Sequence, residues 1–321
     1  MNSIDFNEDF YKKKYLKYKA KYLKLTGGYD CFPIWRDVEV LDAITKQIHT
    51  GTNYNDLVVF YDTKLKKYKV VTIDKDHKFF NVFDLNEDND RLIKSNFVNI
   101  PGNSGRSNVA LITLNKFIMT DTEQNKLVEL EMKPNNEQKA IKSYESLPFS
   151  KDKQVPKKFV KPRCVAFSAN TLYVIDDGRI QTSNLTLNNV SEYRNDLFVG
   201  ENIGLAVSAL GRICVSINKK LYKIDMGKSM TEIKISCDKI KKDCIGVSRN
   251  IAFDGEDTIC VADYDNKQVL LINFEDGIVT CNHIFESSPI SIACANSKIF
   301  VCLKDENILK ISNKSQLQKD I

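Results

Sequence analysis

The sequence predicts an all-β chain, a β-propeller of about six four-stranded blades preceded by a short N-terminal amphipathic helix. Three observations carry the prediction. Short strands rich in β-branched residues recur in one ordered layout. Their period is about 40–50 residues, as expected for blades. The basic charge gathers ahead of the first repeat.

The layout is plainest at residues 250–274. A short apolar strand (Ile251–Phe253) leads to a turn containing Gly255. A second strand (Asp257–Asp263) ends in an Asp-Asn turn, and a third follows at Val269–Ile272, with room for a fourth at Ile278–Phe285. The second strand recurs as Lys67–Ile73, Asn115–Asp121, Asn170–Asp176, Gly211–Ile217 and Ser297–Leu303. Apolar strands precede these copies at Leu57–Tyr61, Asn108–Ile112, Cys164–Phe167, Gly204–Val207 and Ile290–Ala293. Further strands follow at Leu127–Glu131, Leu221–Ile224 and Ile308–Ile311. A single blade cannot bury both of its faces. Stacking blades around an axis can, so the repeat itself argues for closure.

The last repeat has three clear strands, and residues 314–321 form a short polar tail. Its missing strand must come from the other end of the chain. Trp35–Leu41 alternates apolar and polar residues and is placed there. A helix from Asp37, with Val38, Leu41, Ile44 and Ile48 on one face, is the competing reading. Residues 145–162 contain three prolines and many lysines and read as an exposed loop. The chain thus divides into a helix and linker (1–30), a propeller (31–313) and a tail (314–321).

Residues 251–274 resemble an NHL-type repeat, with apolar-Val-Ala-Asp, an Asn, and the third strand Val269-Leu-Leu-Ile272. Asp121 and Asp176 keep the strand-ending aspartate, whereas Ile217 and Leu303 replace it. The resemblance spans residues 55–313 and implies an architecture more than an activity.

The N-terminal segment has its own logic. Tyr11, Tyr15, Tyr18, Tyr22 and Leu25 step by four and three, an apolar stripe on a helix that Leu16 and Leu23 widen. Lys12, Lys13, Lys14, Lys17, Lys19, Lys21 and Lys24 fill most of the rest. Glu8 and Asp9 suit the first turn, and Gly27-Gly28 ends the helix. These seven lysines stand against three acids in residues 1–28, so the segment carries most of the net charge of +5. A helix below about 20 residues is marginal alone in water and needs a partner surface. That partner is a dedicated protein groove, an anionic polymer such as nucleic acid or a membrane, or a second copy meeting through residues 8–26. The run Tyr15-Leu-Lys-Tyr-Lys-Ala-Lys-Tyr-Leu-Lys-Leu25 resembles a short motif of giant DNA virus proteins such as those of mimiviruses. The resemblance implies a viral or host protein as partner and a location in the virion or in the host cytoplasm, at the viral factory.

Chemistry-bearing motifs are sparse. The sequence lacks HExxH, GxSxG and P-loop patterns and holds three histidines: His49, His77 and His283. Asp263, Asp265 and Asp276 near a hairpin suit turn formation better than calcium binding. The inner strands read as apolar and small, a packed channel wall. No catalytic residue, metal ligand or cofactor is expected. Nine cysteines, five of them (Cys164, Cys214, Cys260, Cys294 and Cys302) in apolar runs, fit reduced, buried thiols. No stretch of about 18 apolar residues occurs, so no transmembrane helix is expected.

The functional expectation is therefore a non-enzymatic binding or scaffold propeller with a docking or packaging helix. Two alternatives stand beside it. One is a nucleic-acid-binding propeller using Lys151, Lys153, Lys157, Lys158, Lys161 and Arg163 with Phe159, or Lys64, Lys66, Lys67 and Lys69 with Tyr68. The other is a six-bladed lactonase or lyase.

Overall fold

The computed structural model describes residues 36–37, 39–42, 54–62, 65–74, 79–86, 91–99, 108–132, 138–145, 158–184, 190–200, 202–226, 228–236, 245–295, 298–304 and 309–313. Two short strands come first, β1 (Arg36–Asp37) and β2 (Glu39–Asp42). The first repeat supplies β3 (Tyr54–Asp62), β4 (Lys67–Asp74), β5 (Phe79–Asn86) and β6 (Arg91–Asn99). The second supplies β7 (Val109–Thr113), β8 (Lys116–Asp121), β9 (Lys126–Met132) and β10 (Gln138–Tyr144). The third is β11 (Cys164–Ser168), β12 (Thr171–Asp176), β13 (Arg179–Asn184) and β14 (Val190–Arg194). The fourth is β15 (Ile203–Val207), β16 (Ile213–Ile217), β17 (Lys220–Asp225) and β18 (Ser229–Ile233). The fifth is β19 (Ser248–Asp254), β20 (Thr258–Asp263), β21 (Gln268–Asn273) and β22 (Val279–Ile284). The last holds β23 (Pro289–Ala295), β24 (Lys298–Leu303) and β25 (Leu309–Asn313).

Within each repeat, successive strands pair antiparallel as a meander. The strand after each first turn lies where the recurring pattern put it. The expectation of six four-stranded blades needs correction. Five sheets are four-stranded, and the sheet of the first repeat has five strands in the order β2-β6-β5-β4-β3. The extra strand comes from the segment read as Trp35–Leu41. Its described residues, 36–37 and 39–42, are strand, and they are divided between two sheets. Arg36 and Asp37 of β1 pair antiparallel with Ile311 and Lys310 of β25, supplying the fourth strand of the last sheet. Three residues on, β2 pairs in parallel with β6, Glu39 opposite Arg91. Both β25 and β6 would otherwise show an open row of N–H and C=O groups, and one short segment covers both edges.

The first strands β3, β7, β11, β15, β19 and β23 each touch the next, and β23 returns to β3, so the ring is closed. Side chains alternate along each strand between the two flanking sheets, which is why the core falls into inter-sheet clusters. Val70 of β4 packs with Phe300 and Cys302 of the last sheet, while its neighbour Val71 packs with Phe117 and Met119 of the second. The seam between the first and last sheets buries Leu57, Tyr68, Phe83 and Phe300 as completely as any other. Buried side chains of this size contribute about 1.5–3 kcal/mol each, so the closing seam is a major part of the stability.

Among the described residues the only helical element is a 3-10 turn at Asp196–Phe198, capped by the Asn195 side chain. No helix among them is long and apolar enough to cross a membrane. The amphipathic helix expected at residues 8–26 lies outside the described residues.

Candidate functional site

The end of the channel where the first strands begin is closed by a polar ring. Asp56, Asn108, Cys164, Gly204, Asn250 and Ser291 occupy one register level, one residue from each repeat. Asp56 lies opposite Ile73, Cys164 opposite Ile175, Gly204 opposite Ser216, Asn250 opposite Ala262 and Ser291 opposite Cys302. Asn108 holds the same place just ahead of β7, its carbonyl accepting from the Thr120 N–H.

Asp56 is the hub. The Leu57 N–H (2.9 Å), Asn250 Nδ2 (2.6 Å) and Ser291 Oγ (2.7 Å) donate to its Oδ1. Asn108 Nδ2 (2.8 Å) and the Val109 N–H (2.9 Å) donate to its Oδ2. Asn108 Oδ1 carries the network onward by accepting from the Val165 N–H at 2.7 Å. The Cys164 thiol donates to the Ile203 carbonyl at 3.0 Å. One carboxylate thereby joins four sheets directly. Burial pushes its pKa up to about 6 from the ordinary 3.8, although the hydrogen bonds from Ser291, Val109, Leu57 and Asn108 favour the anion. Burial likewise pushes the Cys164 thiol up to about 12, with Asp56 contributing. At Gly204 the ring has no side chain. A Cβ there would sit 2.5 Å from Ser216 Oγ of the same sheet, so a larger residue would force that buried hydroxyl to turn away, while Asn250 Cα of the neighbouring sheet, at 3.5 Å, would be in ordinary contact. The reading of the inner strands as wholly apolar is thus corrected at their first positions. With every lone pair of Asp56 directed at a donor, the ring acts as a structural plug.

The strand-ending aspartates do turn chemistry, as their position suggested. Asp263 accepts from the Gly246 and Asn266 N–H groups, Asn266 Nδ2 and Gln268 Nε2. Asp265 accepts from the Val247 N–H and Asp276 from the Ile278 N–H. Asp176 takes a two-pronged bond from Arg179 (2.8 Å to each oxygen), together with Gln181 Nε2 and the Val160 N–H. Among the described residues no three His, Cys, Asp or Glu side chains come together as a metal site. His283 packs edge-on against Phe285.

The basic stretches separate from their aromatic residues. Phe159 is buried in the seam between the second and third sheets, and Tyr68 in the closing seam. Neither ring offers a face for a nucleobase to stack on. Lys158 is exposed and pairs with Glu145 at 2.8 Å, which raises its pKa and lowers that of Glu145. The Lys161 N–H is held by Asn125 Oδ1. Of residues 158–162, expected to be an exposed loop, Lys158, Val160 and Lys161 are exposed, but Phe159 and Pro162 are buried and the segment is held between the second and third sheets, the Pro162 carbonyl accepting from Thr122 Oγ1 and the Val160 N–H donating to Asp176. The reason is that Asp176 and Arg179 capture their backbone, Arg179 Nη2 donating to the Lys158 carbonyl. Lys157 and the lysines and tyrosines of residues 11–25 lie outside the described residues.

The opposite face carries the turns that follow the first strands. Three of them expose a leucine: Leu65, Leu114 and, at 75 % exposure, Leu210. The Leu210 turn is held firmly. Gly211 takes a positive φ of 81°, and the Leu210 N–H donates to Glu256 Oε1 of the next sheet at 3.1 Å. Arg212 reaches Asp257 (3.0 Å) and Glu275 (2.9 Å), and Lys223 reaches Glu275 at 2.7 Å, which lowers the Glu275 pKa. Both cations also lie over the Phe274 ring. An apolar side chain is thus displayed on a rigid, charge-rimmed turn.

These features define a β-propeller, all-β with four-stranded blades, whose axis is plugged at one end and which exposes a leucine on three hairpin tips at the other. No family model and no curated protein matches the chain. Among solved structures it is similar to a streptogramin B lyase, at 11% identity and a TM-score of 0.57, over 87% of this chain and 97% of that one. It is also similar to a chain of a nidogen/laminin complex, at 13% identity and a TM-score of 0.51, over 74% and 83% respectively. At these identities the likeness establishes the fold alone.

Proposed function

We propose that this chain is a non-enzymatic, protein-binding propeller of a giant virus, acting as a scaffold in the virion or at the viral factory. Its partner docks on the face of Leu65, Leu114 and Leu210, and residues 8–26 serve as a separate docking or packaging element. The observation that carries the reading is Leu210. An exposed leucine fixed by a neighbouring sheet loses little freedom on binding, which is how a preorganised anchor contributes affinity. The saturated hydrogen bonding around Asp56 supports the same reading, because it leaves that carboxylate no lone pair for substrate or metal. The nidogen/laminin neighbour, solved as a complex of two proteins, is consistent with a propeller used for protein contact.

The test is affinity capture from infected cells with three forms: the full chain, the chain without residues 1–30, and Leu65→Ser/Leu114→Ser/Leu210→Ser. The three leucines are exposed, so the substitutions leave folding intact. The expected result is one partner set lost with the leucines and a different one lost with the N-terminal segment. Capture of the same proteins by all three forms, or of nuclease-sensitive complexes only, would overturn the reading.

A further inference from the structure

Six cysteines fall among the described residues, and two of them meet. The Sγ atoms of Cys260, on β20, and Cys294, on β23, are 3.2 Å apart. They belong to different sheets and face each other across the seam that also holds Ala262, Ile292 and Val301. Cys260 is fully buried, whereas Cys294 is half-buried, packed against the same seam. Cys281 shares the cluster but sits two strands away from Cys260, because Leu271 lies between them in the ladder. At about 4.8 Å per strand step that separation is beyond bridging. Cys164, Cys214 and Cys302 each pack in other seams.

We propose that Cys260 and Cys294 form a reversible disulfide that staples the fifth sheet to the closing sheet under oxidising conditions. The sulfurs need to approach by only about 1 Å to reach bonding distance. The oxidant is a peroxide. The Cys294 sulfur, the reachable one, attacks a peroxide oxygen, breaking the O–O bond and releasing water to leave a sulfenic acid. The Cys260 sulfur then attacks the Cys294 sulfur. The S–O bond breaks, and the departing hydroxide leaves as a second water with the Cys260 proton. Two thiols and one hydrogen peroxide thus give one disulfide and two waters. A dithiol reverses the step. The bridge spans the seam beside the sheet that β1 completes, so it secures the ring next to its non-covalent closure.

The experiment treats the folded full-length protein with hydrogen peroxide and quenches it with a thiol-alkylating reagent. Digestion and mass spectrometry follow, with thermal unfolding in parallel. The expected result is a peptide pair linked through Cys260 and Cys294, lighter by two hydrogens than its reduced parts. An unfolding midpoint several degrees higher should accompany it and disappear with dithiothreitol. Cys294→Ser should give neither change, and Cys281→Ser both. Should either variant fold poorly, the wild-type peptide map still decides. Both thiols recovered alkylated, or Cys294 driven to sulfinic acid without a link, would overturn the proposal.

Discussion

Replacing Asp56 by Asn tests whether the axial plug is a buried anion held by five donors. The side chain keeps its shape and one oxygen. With that oxygen in the Oδ1 place, the new amide nitrogen faces Asn108 Nδ2 and the Val109 N–H, both donors. Turning the Asn108 amide over moves the conflict to the Val165 N–H, which Asn108 Oδ1 now serves. Two buried donors lose their acceptor, at about 1–3 kcal/mol each, or about 2–6 kcal/mol in total. Against this, the mutant no longer buries a charge. The folded-state pKa of about 6, set against the ordinary 3.8, means that holding the anion at neutral pH costs about 3 kcal/mol. The sign follows from the raised pKa. The contribution of Asp56 is fully present below about pH 4 and is lost as pH rises through 6. The stability of the wild type relative to Asp56→Asn should therefore be highest near pH 4, where the folded protein holds the neutral acid, which resembles the amide. It should fall by about 2–3 kcal/mol by pH 7.5. Urea unfolding of both proteins at four pH values between 4 and 7.5 reads this directly. A relative stability that is constant, or that rises toward neutral pH, would refute the buried-anion account.

Two further outcomes follow from the same structure. Deleting residues 31–45 removes β1 and β2 and opens edges on two sheets at once. With ladder hydrogen bonds at about 1 kcal/mol each, the whole domain should lose on the order of 3–6 kcal/mol in one cooperative transition. Unchanged thermal unfolding would mean that the ring does not depend on them. Arg179→Ala strips the buried Asp176 of its two-pronged partner and frees the Lys158 carbonyl, and should cost about 3–5 kcal/mol in urea unfolding. A cost below about 1 kcal/mol would show that water reaches the carboxylate.

The sequence by itself determined the strand plan. Short β-branched runs, Asp-Asn turns and the recurring second strand are local signals, and strand formation follows the two-residue period wherever one side must be buried. The segment from Arg36 to Asp42 was legible as strand for the same reason. That its halves serve different sheets was not, because pairing of Arg36 with Ile311 at one end and of Glu39 with Arg91 at the other joins residues far apart in the chain and leaves no local trace. The axial ring shows the same boundary. Asp56, Asn108, Cys164, Gly204, Asn250 and Ser291 all stand at the head of an apolar run, a regularity present in the sequence. Their types share no chemistry in isolation, and only closure of the ring brings them to one level around one carboxylate. Phe159 and Tyr68 went the other way. Beside lysines they looked available to a ligand, and packing between sheets took them into the core. Which of a strand's two faces meets a neighbouring sheet is decided by the ring and not by the residue, and so burial, hydrogen-bond partners and the meeting of Cys260 with Cys294 belong to the tertiary structure alone.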